Sequence, residues 1–167
     1  MKKVYDTINQ YCVEHELLTN GDGIVIGLSG GMDSVCLLQV LAALRNEWRL
    51  RLVCVHVHHG IRGTAADEDA AFAQRLAAKY NISFRLYEMD IPQLAKEQGL
   101  SEEETGRNYR YRCFEEVRKE LNFDKIAVAH HRDDQAETVL WQILRGSGLR
   151  GVCGMRAGRA NIIRPLL

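Results

Sequence analysis

A glycine-rich segment at residues 29–34 separates an apolar run from a helix-like pattern, and its residue types suit phosphate binding. It consists of Ser29, Gly30, Gly31, Met32, Asp33 and Ser34. The glycines allow a tight turn and a close approach of the backbone to a ligand. The first N–H groups of the following helix lack partners within that helix and attract anions. The missing Gly-Lys-Ser/Thr excludes a Walker A loop, and a plain strand–helix turn with serine and aspartate caps is the simpler alternative.

A second polar segment, residues 130–138, follows another predicted strand and opens another helix. Asp133 and Asp134 could supply hard oxygen ligands, which Mg²⁺ prefers together with phosphate oxygens. We expect one of them to lie across from the glycine segment, where Asp33 is the third candidate ligand. The spacing of Asp134 and Glu137 is also that of a capping box, which would give both side chains a structural role.

Two further segments carry residues that could contact a nucleotide or RNA. His58 opens a loop at 58–63 after an apolar strand, where backbone often holds an adenine edge and Arg62 could hold phosphate; a mobile polar loop is the alternative. Arg107 and Arg110 lie three residues apart on one predicted helix face beside Tyr111. Arginine with an aromatic neighbour suits polyphosphate or an unstacked base, although spacing alone favours an ordinary solvated face.

The elements that must position these residues alternate between helices and strands. The predicted helices cover residues 2–17, 33–45, 65–79, 92–99, 102–121 and 134–144. The predicted strands cover residues 23–28, 52–57, 82–89 and 125–129, and a fifth begins at 162–163. This alternation predicts an α/β fold, a parallel five-stranded sheet with helices on both faces, in one domain over residues 1–167. Ligands of such sheets bind at the carboxyl ends of the strands, where the polar segments lie.

Composition narrows the classes of protein that the sequence allows. The net charge is zero, so a whole-chain basic signal for nucleic acid is absent, although a local basic patch is not excluded. The five cysteines are scattered, with no Cys-x-x-Cys, which argues against an iron–sulfur site, a zinc ribbon or a redox pair. The adjacent His130 and His131 do not indicate zinc, because their side chains point opposite ways and no third ligand has suitable spacing.

The chain shows no signal for a membrane or for secretion. No 18-residue apolar run and no signal peptide are found, and the cysteines read as buried thiols of a reducing compartment. We therefore expect a cytoplasmic protein with no membrane partner. Residues 162–167 are apolar and end without a polar tail, which suggests a fragment of a longer protein.

Taken together, the motifs resemble those of the tRNA(Ile)-lysidine synthetases, bacterial enzymes that modify the wobble cytidine of an isoleucine tRNA. The resemblance covers nearly all of residues 22–167 and rests on six motifs: SGGMDS at 29–34, HHGIRG at 58–63, RxxRY at 107–111, HHRDDQAET at 130–138, RGSG at 145–148 and IRPL at 163–166. The first motif is shared by all ATP pyrophosphatases, whereas the fourth and fifth are more specific. Gly106 and Ile61 stand where alanine and leucine are usual.

The resemblance implies a fold, a reaction and a set of site residues. The fold is the adenine nucleotide alpha-hydrolase-like, Rossmann-like PP-loop domain. ATP adenylylates the C2 oxygen of the wobble cytidine of tRNA(Ile) with a CAU anticodon, and free L-lysine then attacks C2 and expels AMP. The implied cofactors are ATP and Mg²⁺. The implied ATP-binding residues are Ser29, Gly30, Gly31, Met32, Asp33, Ser34 and His58. The implied metal ligands are Asp33, Asp133 and Asp134. The implied catalytic residues are Asp33, Asp134, Arg107 and Arg110.

Some questions stay open at the level of sequence. Glu137 is a candidate for the lysine ammonium, the oligomeric state is undetermined with a dimer as one option, and the family's proteins continue into further domains that hold tRNA. A tRNA thiolase would use cysteines near the site, and a glutamine-dependent amidotransferase synthetase would need an ammonia-generating domain. A non-enzymatic nucleotide-binding module could use the same loop without the aspartates. Release of pyrophosphate separates the enzymes from the module.

Overall fold

The computed structural model describes residues 2–58, 64–146 and 153–167. The phosphate contact predicted for Arg62 lies outside the described residues. In the described parts the helices are α1 (Lys2–Glu14), α2 (Met32–Leu44), α3 (Thr64–Lys79), α4 (Ile91–Gln98), α5 (Glu102–Glu120) and α6 (Arg132–Leu144). The strands are β1 (Gly23–Gly27), β2 (Arg51–His58), β3 (Ser83–Glu88), β4 (Lys125–Ala127), β5 (Gly158–Arg159) and β6 (Ile162–Ile163).

The strands form one sheet in the order β3-β2-β1-β4-β6-β5. β1 lies at the centre and pairs in parallel with β2 on one side and β4 on the other. The predicted α/β fold with helices on both faces of a mostly parallel sheet is confirmed. The count of five parallel strands is wrong, because β5 adds a sixth strand antiparallel to β6. The chain reverses between them at Ala160, whose φ of 52° is left-handed, and the exposed Gly158 and Arg159 gave no apolar pattern to predict from.

Apolar side chains of the central strands alternate between two cores, one on each face of the sheet. Ile24 and Ile26 point to the core that also contains buried residues of α1, α2 and α3. Val25 points to the opposite core, which contains Phe114 and Val117 of α5 and Ile91 of α4. Burial on both faces explains why these strands read as continuous apolar runs. Within the described residues, no helix is long and apolar enough to cross a membrane.

Candidate active site

A cleft of about 640 Å³ opens at the carboxyl ends of β1, β2 and β4. Its lining includes these residues predicted from sequence: Ser29, Gly31, Asp33, Ser34, His58, Arg107, Arg110 and Asp134. It also includes residues outside the set that the resemblance implies: His56, Asp69, Tyr111, His130 and His131. Three predicted residues lie outside the lining: Gly30, Met32, which has 87% of its surface exposed, and the exposed Asp133. The structure therefore gathers most predicted site residues in one concave surface of a size that suits a mononucleotide.

The turn between β1 and α2 is held by one buried hydroxyl group. Ser34 is only 4% exposed, and its Oγ donates to the Gly31 carbonyl at 2.8 Å. The same oxygen lies 3.2 Å from the Ser29 N–H, which donates to it, and 3.1 Å from Ser29 Oγ. Ser34 thus ties the two ends of the turn together. Its hydroxyl braces the loop, which leaves the backbone N–H groups as the main donors for an anion.

The two glycines of the turn have different roles. Gly30 has a φ of +90°, a conformation that residues with a side chain rarely adopt. Gly31 is the N-cap of α2 with a φ of −70°, which any residue can adopt, and no side chain caps the helix there. A Cβ on Gly31 would have Ser29 Oγ at 3.6 Å as its nearest neighbour. Gly30 is therefore required by the fold, whereas Gly31 keeps the cleft open at the helix N-terminus.

Two carboxylates and one imidazole meet at the N-termini of α2 and α6. His131 Nε2 lies 3.6 Å from Asp33 Oδ2 and 3.6 Å from Asp134 Oδ2. His131 Nδ1 accepts from the Asp133 N–H at 3.2 Å, so the proton of a neutral ring lies on Nε2 and faces the two carboxylates. Both aspartates are in first turns, where the helix dipole favours negative charge.

The capping box of α6 differs from the sequence prediction. Asp134 Oδ2 accepts from the His131 N–H at 2.8 Å, and His131 is the N-cap residue. The alternative in which Asp134 pairs with Glu137 is wrong, because the helix begins at Arg132 and Asp134 is its third residue. Asp134 therefore has both a structural bond and a place in the cleft lining.

The carboxylates fit a magnesium ion that is shared with a nucleotide. Among the described residues, no group of three or more histidine, cysteine, aspartate or glutamate side chains could hold a metal ion. Mg²⁺ commonly binds one or two carboxylates and completes its shell with phosphate oxygens and water. Asp33 and Asp134, which flank His131 Nε2 and line the cleft, match that requirement without further protein ligands.

The opposite wall of the cleft is cationic and comes from α5. Arg107 and Arg110 both line it, and the Arg107 guanidinium carbon lies 5.5 Å from the centre of the Tyr111 ring. The first turn of α5 begins after Ser101, whose hydroxyl accepts from the Glu104 N–H at 3.2 Å. The two arginines predicted for one helix face thus both line the cleft, and Arg107 contacts the ring of Tyr111.

The lining also contains His56, His58 and Asp69. Of these, His58 was predicted as a site residue, whereas His56 and Asp69 had no signal of their own in the sequence. His56 is 5% exposed, and its Nδ1 lies 2.7 Å from the Leu28 carbonyl; burial lowers the pKa of this ring, so it is neutral and donates from Nδ1. His58 Nε2 lies 3.4 Å from Asp67 Oδ1. Asp69 lies near Gly30, where a Cβ would be 3.6 Å from the Asp69 Cβ. α3 was predicted, but only the tertiary packing places this carboxylate beside the turn.

The sheet, the turn and the cleft define an α/β nucleotide-binding domain. A family model described as the PP-loop domain matches residues 2–167, and the chain belongs to that family.

Curated relatives extend the similarity to full-length proteins. A tRNA(Ile)-lysidine synthase of Caldanaerobacter subterraneus subsp. tengcongensis is 48% identical over 167 residues, which are 100% of this chain and 35% of the relative. A tRNA(Ile)-lysidine synthase of Clostridium tetani is 41% identical over 165 residues, which are 98% of this chain and 34% of the relative. The chain therefore spans about a third of the length of these curated relatives.

Solved structures agree on the fold. A U34-tRNA thiolase from Methanococcus maripaludis, solved with its [4Fe-4S] cluster, aligns with a TM-score of 0.75 at 22% identity, covering 99% of this chain and 58% of the thiolase. An NH₃-dependent NAD synthetase from Campylobacter jejuni aligns with a TM-score of 0.58 at 18% identity, covering 88% of this chain and 60% of the synthetase. At these identities the similarity concerns the fold alone.

Substitution of Gly30 should affect stability, whereas substitution of Gly31 should affect ATP binding. Gly30→Ala should lower the free energy of unfolding by about 1–2 kcal/mol, because alanine is strained at positive φ. Gly31→Val should leave it nearly unchanged and abolish ATP binding, because the added side chain would project where the phosphates approach. Urea denaturation and calorimetric titration of ATP measure the two quantities. Equal ATP affinity for Gly31→Val and the parent chain would contradict this assignment.

Proposed function

We propose that this chain is the ATP-activating domain of a tRNA(Ile)-lysidine synthase. The observation that carries the proposal is the convergence of the 29–34 turn, two carboxylates and two arginines on one cleft of about 640 Å³. The identity of 48% to a curated relative of that name, across the whole of this chain, supports this reaction over the others known for the fold. The proposed partners are ATP, Mg²⁺, free L-lysine and a tRNA(Ile) with a CAU anticodon.

Different residues of the cleft have different roles in the proposed adenylylation. The backbone N–H groups at the start of α2 bind the pyrophosphate end of ATP. Asp33 and Asp134 would hold Mg²⁺, which when bound neutralises the charge on the departing pyrophosphate. Arg107 and Arg110 stabilise the adenylylated cytidine or orient the RNA, because guanidinium groups bind phosphate through paired N–H donors. The described lining has no cysteine or serine placed beside a base as a nucleophile, and the lysine amine serves that role as substrate.

A tRNA thiolase is the principal alternative, and the cleft does not favour it. Iron–sulfur clusters are held by several cysteine thiolates. Three of the five cysteines, Cys12, Cys54 and Cys113, are buried, and no cysteine lines the described part of the cleft. Burial raises the pKa of the Cys54 thiol to about 12, which keeps it protonated and unreactive.

Lysine incorporation tests the reaction directly. The chain alone, and the chain fused to the remaining two thirds of the Caldanaerobacter relative, would be incubated with ATP, labelled lysine and tRNA(Ile). We expect the fusion to release pyrophosphate and label the tRNA. The chain alone should label it far less, because its zero net charge provides little phosphate neutralisation. A tRNA with a different wobble base is the matched control. Pyrophosphate release that neither needs tRNA nor leads to lysine transfer would contradict the proposal.

Substitution of the carboxylates tests their proposed role against a structural one. Asp33→Asn and Asp134→Asn in the fusion should lower pyrophosphate release on the order of a hundredfold. Thermal stability should change little, because in Asp134→Asn the amide oxygen can still accept the bond from the His131 N–H, and Asp33 takes no part in that bond. Asp133→Asn, in the same turn but outside the lining, should have a smaller effect. Full pyrophosphate release from the Asp33 and Asp134 variants would show that these side chains serve only the helix ends.

A further inference from the structure

A buried arginine near the end of the chain contacts a histidine of the cleft. Arg164 follows β6 and is 7% exposed. Its Nε donates to His130 Nδ1 at 3.3 Å, and its Nη1 donates to the Arg156 carbonyl at 3.0 Å. The backbone N–H of Arg164 also donates to the Ala157 carbonyl at 2.8 Å. Two side-chain bonds therefore fix the guanidinium group, and one backbone bond fixes the residue that carries it. β4 and β6 are parallel neighbours, so the residues that follow them meet at the same sheet edge.

The direction of the contact determines where His130 carries its proton. Arginine has only donors and stays protonated in proteins, so His130 Nδ1 must accept. An accepting Nδ1 means a neutral ring with its proton on Nε2. No described residue accepts from Nε2, and His130 lines the nucleotide cleft. The ring nitrogen left for a ligand is therefore a donor.

The charges around His130 favour the same state. Arg164 faces it from the segment after β6, and Arg107 and Arg110 face it from α5, whereas Asp134 on α6 has the opposite charge. Burial, followed by the charge of Arg164, lowers the pKa of His130. The lowered pKa favours the neutral ring at neutral pH, the state in which Nε2 carries the proton when Nδ1 accepts from Arg164.

We propose that Arg164 is a positioning residue that fixes His130 as a neutral Nε2–H donor toward an anionic oxygen of the bound nucleotide. That this oxygen belongs to the reacting phosphate rests on the proposed function. The orientation of the His130 ring by Arg164 does not depend on the proposed function. A donor held in place before reaction stabilises charge that develops on the phosphate, at no cost of reorganisation.

The tautomer of His130 is measurable without any ligand. In the chain labelled with ¹⁵N at histidine, His130→Gln assigns the signals, and the ring nitrogens report the protonated site. We expect a protonated Nε2 and an unprotonated Nδ1 across neutral pH. Arg164→Met should give a mixture of tautomers and a higher pKa of His130, because an acceptor bond and a positive charge are lost. Arg159→Met removes the same charge from β5 without contacting His130, and should leave its signals unchanged.

A kinetic comparison separates a donor from an acid–base group. In the fusion, His130→Gln keeps an N–H near the position of Nε2, whereas His130→Leu removes it. We expect the rate of pyrophosphate release to decrease by no more than about fivefold in His130→Gln. In His130→Leu it should decrease on the order of a hundredfold. Equal losses in both variants would contradict the donor role.

The tautomer decides the role of Arg164 even if other experiments fail. Protonation of Nδ1 in the parent chain would overturn the proposal, and so would an Arg164→Met chain with unchanged tautomer and pKa. If Arg164→Met does not fold, the parent spectrum still gives the answer. A protonated Nε2 in a chain that does not bind ATP would support the positioning by Arg164 and refute the proposed function.

Discussion

The parallel pairing of β1 with β4 is the constraint on which the site depends. Ile24 pairs with Lys125 and Ile26 with Ala127, so both strands end at the same edge. The turns that follow them open α2 and α6, which brings the N-termini of these two helices together. Two residues far apart in sequence, Asp33 and Asp134, thereby flank a single imidazole nitrogen. Without that adjacency the chain would have a phosphate turn but no second carboxylate.

Close packing at the end of β1 completes the cleft from the other face of the sheet. A Cβ on Gly27 would lie 2.7 Å from the ring of Phe114, which is buried. The missing side chain lets α5 approach the strand end, and Arg107 and Arg110 of the same helix reach the cleft. The charges are thus divided by element, with carboxylates on α2, α3 and α6 and guanidinium groups on α5. A magnesium-bound polyphosphate matches both, because it presents a cation to one wall and anionic oxygens to the other.

The sequence predicted those elements that are determined by interactions between residues close together in the chain. The long helix at 102–121 is present as Glu102–Glu120, because its serine cap and charged turns act within the helix. The start of α6 was predicted two residues late, at 134, because histidine is not among the usual N-cap residues and His131 gave no signal. The antiparallel β5 consists of two exposed residues and has no pattern. The Arg164–His130 contact joins residues 34 positions apart, and only the sheet order reveals it.

We propose that Asp33 and Asp134 hold a metal ion that binds together with a nucleotide, and the proposed function depends on this site. The most direct test replaces Mg²⁺ by paramagnetic Mn²⁺ and follows the broadening of assigned signals in the labelled chain. We expect strong broadening of the signals of the His131 ring, whose Nε2 lies 3.6 Å from both carboxylates, and of the backbone signals of residues 29–34. This broadening should require Mn²⁺ and ATP together. Broadening centred on another surface, or equally strong without ATP, would contradict a nucleotide-dependent metal site at Asp33 and Asp134.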